Sequence, residues 1–317
     1  MDVRLAPELV LAADAVARGG DDRALARACA AGHLVRVARG AYVAASAWSR
    51  LDPRSRQIYR AVAAARTRRR RDLVLSHESA ALVHGLPTWG WPEGPVEFVE
   101  AMSRRVRSST DVRVHVGPVE TGDVAVRDGL AVTDVTRTVL DLLLSRSREQ
   151  AVVLVDHVLR AGACSRDDLV RLVATRPHAR NRRRAAWAVA FGDPLAGSPG
   201  ESVSRVLAHD LGFVTPELQR RFDDAEGLVG VVDFFFPDPD GSGRGCVGEF
   251  DGAVKYRGDD FRHGRSAEAV VEEEKDRENR LRALPTVSGF ARWDRRELAV
   301  PARLEARLLQ AGVARRP

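Results

Sequence analysis

Two apolar runs, "GLVGVVDFFFP" at 227–237 and "GCVGEFDG" at 245–252, flank a stretch rich in Pro, Asp, Gly and Ser, with the turn itself at 241–245. The pattern predicts an antiparallel hairpin. Three acids, Asp233, Glu249 and Asp251, are embedded in the apolar runs. A carboxylate removed from water without a partner either costs several kcal/mol or takes up a proton. Side chains alternate along a strand, so Glu249 and Asp251 share one face and Phe250 points to the other, just as Phe234 and Phe236 face away from Asp233. Pairing the strands brings Asp233 beside Glu249 or Asp251, and the three acids need a positive charge. A hard divalent cation, Mg²⁺ or Mn²⁺, bridging carboxylates, water and phosphate oxygens would supply it and could activate a water toward a phosphodiester. The alternative is that Asp233 caps a turn while Glu249 and Asp251 pair with arginines.

The chain has 317 residues, enough for about two domains of about 150 residues each. No apolar run approaches the roughly 18–20 residues that a membrane-spanning helix needs. The N-terminal stretch resembles a signal peptide only loosely, because Arg4, Glu8 and Asp14 interrupt its apolar run, so it reads as an amphipathic helix of a cytoplasmic protein. Cys29, Cys164 and Cys246 lie far apart with no C-x-x-C pair, which argues against a zinc ribbon or a disulfide framework and for three reduced, buried thiols. The net charge is +6, which favours a polyanion such as nucleic acid as partner. Of the 50 basic residues only Lys255 and Lys275 are lysines. Both stand in the acid-rich C-terminal region, where a pKa-adjustable ammonium can matter.

Residues 8–45 read as helix, turn, helix and hairpin, the order of a small winged helix-turn-helix. Its second helix, carrying Arg23 and Arg27, would enter a major groove, and the hairpin with Arg36 and Arg39 would touch phosphate or the minor groove. A helical hairpin that binds nothing is the plainer alternative. An Arg-rich helix at 54–71 follows, and then "LVLSHESAALVHGLP", in which His77 and His84 read as core or capping histidines rather than metal ligands. Short alternating runs at "VEFVEA", "VRVHVG" and "GLAVTDV" predict a modest sheet, and "TRTVLDLLLSRSREQAVVLVDHVLRAG" returns to helices. The basic stretch at 176–184 reads as a solvated face or a second contact with a DNA backbone. "GDPLAGSPG" at 192–200 reads as a linker. Beyond it, Ser198 and Glu201 have the spacing of a capping box at a helix start, and Val203, Val206 and Leu207 supply the apolar stripe. On the later helix, Glu273 with Arg277 and Asp276 with Arg280 are spaced as i, i+4 pairs.

The runs "RALARACAAGHLVRVARGAYV", "LSHESAALVHGLP" and "GLAVTDVTRTVLDLL" resemble the AbiEi-type antitoxins over about residues 8–145. That resemblance implies a winged helix, repression of its own promoter and a cognate toxin as partner. Residues 197–310 resemble the PD-(D/E)XK nuclease superfamily, in the branch of small domains related to very-short-patch-repair endonucleases, often called DUF559. The order behind it is a helix with Glu201, then Gln219, Asp233, the hairpin turn, "GEFDG", Lys255, a charged amphipathic helix and "VSGFARWDRREL". The resemblance implies Asp233 and Glu249 as metal ligands, Asp251 as third ligand or catalytic acid, Glu201 as accessory carboxylate and Lys255 as the residue that orients water or stabilises the transition state. The lysine of an E-x-K motif is absent in either register: Asp251 follows Glu249, and Ala253 follows Asp251. Lys255 reaches back only if the strand bends at Gly252.

The expected fold is α/β of the α+β kind. It comprises a winged helix-turn-helix at 1–48, a small α/β region at 49–191 and a restriction-endonuclease-like mixed sheet flanked by helices at 197–317. The expected function is a cytoplasmic, double-stranded-DNA-binding protein with a metal-dependent endonuclease-like domain, linked to toxin–antitoxin systems or phage defence. The alternatives are a non-catalytic antitoxin and autorepressor on a degenerate nuclease fold, or an interaction module without DNA contact.

Overall fold

The computed structural model of the chain describes residues 5–68, 73–90, 94–100, 108–252 and 267–316, with side-chain surroundings from 272 onward in the last segment. The fold is α+β, and the chain forms two compact units: 1–146 with 169–185, and 147–168 with 186–317.

In the first unit, β1 (Val10–Leu11), α1 (Ala12–Ala17), α2 (Asp22–Ala30), β2 (Leu34–Ala38) and β3 (Ala41–Ala44) build a three-stranded sheet, order β1-β3-β2, beside two short helices. The turn between β2 and β3 is the pair Arg39-Gly40, with Gly40 at φ 74°, a conformation glycine adopts without strain. Asp21 caps α2 by accepting the Arg23 N–H at 2.9 Å. The expected helix from residue 8 begins late, because Val10 and Leu11 pair with Tyr42 and Ala41 and complete the sheet edge.

Helices α3 (Ala45–Arg50) and α4 (Pro53–Thr67) lead to a five-stranded sheet of order β6-β5-β4-β8-β7. Its strands are β4 (Leu73–Leu75), β5 (Val96–Glu100), β6 (Val112–Val116), β7 (Val124–Arg127) and β8 (Leu130–Thr133), with α5 (His77–Val83) between β4 and β5 and α6 (Val135–Ser145) after β8. Tyr59 and Val62 of α4 pack with Val43, Leu75, Phe98 and Val132, so the winged piece and the larger sheet share one apolar core. Phe98 faces that core, and its neighbour Glu97 faces α5 and α6 instead.

Helices α7 (Arg148–Arg160), α8 (Arg166–Ala174), α9 (Arg182–Phe191) and α10 (Pro199–Asp210) precede the second sheet. Segment 192–200, read above as a linker, is packed within the second unit: Asp156 of α7 accepts the Asp193 N–H at 2.6 Å and pairs with Arg205 of α10 at 2.9 Å. Strands β9 (Glu217–Asp224), β10 (Gly227–Pro237) and β11 (Gly245–Asp251) form an antiparallel meander, and α11 (Ala267–Ala283) leads to β12 (Val287–Asp294), which runs parallel to β11. The sheet order is β12-β11-β10-β9, and the chain closes with α12 (Arg295–Leu298) and α13 (Pro301–Gln310).

Alternation along these strands divides the apolar residues between two layers. On one face Phe235 and Val247 receive Leu281 of α11, in a cluster with Phe222. On the other, Phe234 stacks on Trp293, whose indole N–H donates to Ser204 of α10 at 2.8 Å. Phe250 fits against Gly200 so closely that a Cβ at that position would lie 1.9 Å from its ring. Alanine is worth about 1 kcal/mol more than glycine inside an ordinary helix, whereas overpacking a close contact costs roughly 1–3 kcal/mol. Gly200→Ala is therefore expected to destabilise the protein by up to about 2 kcal/mol. A denaturation midpoint that rises instead would contradict this packing.

Candidate functional site

The acids read from the sequence meet where β10 and β11 run side by side. Phe234 pairs with Gly248, which puts Asp233 next to Glu249, and Asp233 Oδ2 accepts the Phe250 N–H at 2.8 Å. Glu249 is buried, and its Oε1 accepts a hydrogen bond from Arg277 Nη2 of α11 at 2.8 Å. The same nitrogen donates to the Val231 carbonyl at 2.8 Å. Asp251 lies two residues along the same face, 3.7 Å from Arg292 Nε of β12. Arg292 also holds Glu274 of α11 at 2.7 Å, and Glu274 in turn stands 3.3 Å from Arg277 Nη1.

Glu201 begins a different hydrogen-bond group. The Ser198 hydroxyl accepts the Glu201 N–H at 3.2 Å, as a cap should. The other half of the expected box is replaced: Glu201 Oε2 accepts the Gly197 N–H at 2.7 Å and the Gln219 amide at 3.1 Å. Gln219 stands across the sheet from Asp233 and adopts φ 50°, the left-handed region that non-glycine residues rarely enter. Lys255 lies outside the described residues. Lys275 is exposed on α11.

Burial pushes the Glu249 carboxyl up to about 7, and the negative charge of Asp233 adds to it against the pull of Arg277 and Arg292. Among the described residues, no group of three or more His, Cys, Asp or Glu side chains is arranged to hold a metal ion. The described acids do not fit a resident Mg²⁺ or Mn²⁺: Glu249 is spent on a guanidinium, Asp233 on a backbone N–H, and Asp251 faces Arg292.

Arginine reach was not legible from helical spacing. Arg277 turns to Glu249, and Arg280 grips both oxygens of Asp224 at 2.8 and 2.7 Å, so these two side chains tie α11 to the sheet. A glycine inside an apolar strand, Gly230 in "GLVGVVDFFF", was the available signal of a close approach.

The wing residues are displayed as expected. Arg36 and Arg39 are exposed on the β2–β3 hairpin, and Arg23 and Arg27 are exposed on α2. Arg27 stands 3.4 Å from Asp21, an exposed pair worth little.

The first unit also carries an ionic hub that sequence reading missed. Glu97 is buried and accepts the Glu78 N–H at 3.0 Å, Arg146 at 2.7 Å and His115 at 3.1 Å, which hold its carboxyl down at about 2 in spite of burial. His77 is stacked on His115 with ring centroids 3.7 Å apart, and burial lowers its pKa to about 3, so it stays neutral. His84 caps α5, and its Nε2 lies 2.7 Å from the Thr133 carbonyl. These two histidines are core and capping groups, as their spacing suggested. No disulfide joins the three cysteines; Cys164 and Cys246 are buried as expected, whereas Cys29 is half-buried. Among the described residues no helix is long and apolar enough to cross a membrane.

No family model matches the chain. Two curated relatives, the uncharacterized proteins MT2308 (strain CDC 1551 / Oshkosh) and Rv2248 (strain ATCC 25618 / H37Rv) of Mycobacterium tuberculosis, are each 31% identical over 101 residues, 32% of this chain. The chain spans 37% of the length of these relatives. Among solved structures, the RV2827C protein of Mycobacterium tuberculosis aligns at 16% identity over 64% of this chain and 81% of that chain, with a TM-score of 0.39.

The Glu249 carboxyl binds its proton more tightly in the folded chain than in the unfolded one. Its contribution to stability is therefore complete below about 4.5 and is lost as pH rises through about 7. Relative to Glu249→Gln, the parent should lose on the order of 2–3 kcal/mol between pH 4.5 and 8. Parallel pH profiles of the two proteins in denaturant titrations would show that Glu249 is not the group responsible.

Proposed function

We propose that the protein is a regulator that binds duplex DNA, with a winged N-terminal region that contacts phosphates and a nuclease-like C-terminal unit that serves as a non-catalytic scaffold. The observation that carries the reading is the exposed set Arg23 and Arg27 on α2 with Arg36 and Arg39 on the adjoining hairpin. A helix beside a two-stranded wing presents cations at two positions on a duplex, the helix at the major groove and the wing at the backbone. The +6 net charge adds long-range attraction to a polyanion. The scaffold role is supported by the arginine partners of Glu249 and Asp251. On this reading the role is that of an antitoxin-type autorepressor, with its own promoter as DNA and a cognate toxin as protein partner.

A second reading, a metal-dependent DNA endonuclease, is favoured by the apposition of Asp233 and Glu249 on neighbouring strands. Plasmid cleavage with Mg²⁺ or Mn²⁺ that Asp233→Asn abolishes would select it.

DNA binding is tested by fluorescence anisotropy with labelled duplex at several salt concentrations. The logarithm of affinity should fall linearly with the logarithm of salt, with a slope of about 0.9 per phosphate contact. Arg36→Ala combined with Arg39→Ala should flatten that slope by about 2 and leave the thermal melt unchanged, because both side chains are exposed. The proposal fails if the parent chain does not bind duplex at low salt.

A further inference from the structure

The seat of Arg277 is formed by the sheet as much as by its own helix. At Gly230, where the β9–β10 register shifts, an added Cβ would lie 2.6 Å from Arg277 Nε and 3.4 Å from its Cδ. The absent side chain lets the guanidinium pass over the strand to the Val231 carbonyl and Glu249, each at 2.8 Å. Glu274 approaches the other end of the guanidinium at 3.3 Å and is itself held by Arg292, which faces Asp251 at 3.7 Å. When Glu249 is ionised, charges of opposite sign alternate through Glu249, Arg277, Glu274, Arg292 and Asp251.

Arg277 Nη2 already holds Glu249 Oε1 at 2.8 Å, so a divalent ion shared by Asp233 and Glu249 would have to take the other oxygen beside a guanidinium or displace it. The two cations would also sit within a few ångströms of each other at a half-buried site, where repulsion is weakly screened.

Building on the non-catalytic reading of the C-terminal unit, we infer that the guanidinium of Arg277, seated over Gly230, is the resident cation of the acid face, and that a divalent metal binds Asp233 and Glu249 only when this guanidinium is removed. Arg277 thus acts as a built-in counter-ion that replaces a metal.

The test uses the full chain and Mn²⁺ alone, followed by thermal melting and by the loss of the free-ion signal in electron paramagnetic resonance. The parent should show neither a Tm shift nor a bound-ion fraction attributable to these acids at millimolar Mn²⁺. Arg277→Gln should melt lower without metal, and Mn²⁺ should raise its Tm by on the order of 5 °C. It should bind about one ion, and adding Glu249→Gln should abolish both effects. Arg277→Met, which fills the same volume with an apolar chain, provides a second background should the glutamine variant fold poorly. Binding of Mn²⁺ by the parent that Glu249→Gln removes would overturn the inference and favour the endonuclease reading. A folded Arg277 variant that gains no ion would also overturn it, leaving Arg277 as a structural tie alone. Duplex binding by the parent is read separately, so a failure of the DNA-binding proposal leaves the metal comparison interpretable.

Discussion

Helix α11 reads mostly as charge, "AEAVVEEEKDRENRLRA", and its docking depends on where two arginines place their guanidinium groups. Leu281 is its one fully buried contribution to the apolar layer among the residues described, worth about 1.5–3 kcal/mol. Among the described residues, Arg280 bonded to both oxygens of Asp224 and Arg277 bonded to Glu249 and the Val231 carbonyl also tie the helix to the sheet. The two ties differ in kind. The Asp224 pair is partly solvated and contributes modestly, whereas the Glu249 carboxylate is buried and would be left uncompensated without its partner.

The buried carboxylates of the two units show that burial alone does not decide protonation. Glu97 receives a backbone N–H, a guanidinium and an imidazole, and it is held ionised down to about 2. Glu249 is comparably buried but has one guanidinium and a neighbouring Asp233, and its carboxyl rises to about 7. The number of donors converging on the oxygens outweighs desolvation in the first case and falls short of it in the second. Glu97 thereby anchors the first turn of α5 to Arg146 at the end of α6.

The sheet of the second unit was legible because its strands follow a period of two between clear turns; that period left Asp233 beside Glu249 or Asp251, and the observed register fixes Glu249. Strand β1 was not legible, since a two-residue strand has no period and its identity is decided by its partners Tyr42 and Ala41. Strand β7, "VAVR", is an edge strand of four residues and was equally silent. At the acid face the carboxylates were legible, and arginine partners for Glu249 and Asp251 were one of two readings, but which arginines was not legible. Arginine side chains are long enough that helical spacing suggests local partners, while Arg277 and Arg280 reach acids 28 and 56 residues away in the chain. Three clustered acids whose partners are not legible call for a cation, and the sequence leaves open whether it is a metal or a guanidinium.

The backbone passes between the two compact units at 146/147, 168/169 and 185/186. A fragment starting at residue 197 would contain the whole β9–β12 sheet yet lack α7, and with it Asp156, the buried partner of Arg205 on α10. Arg205 would also lose the Phe191 carbonyl, to which it donates at 2.6 Å. Its guanidinium would be stranded on a helix whose apolar face had lost its neighbour. The interlaced path thus makes the second unit inseparable by a single cut. Recombination that exchanged this unit between genes would have to carry 147–168 and 186–317 together, and limited proteolysis at one site would release no autonomous domain.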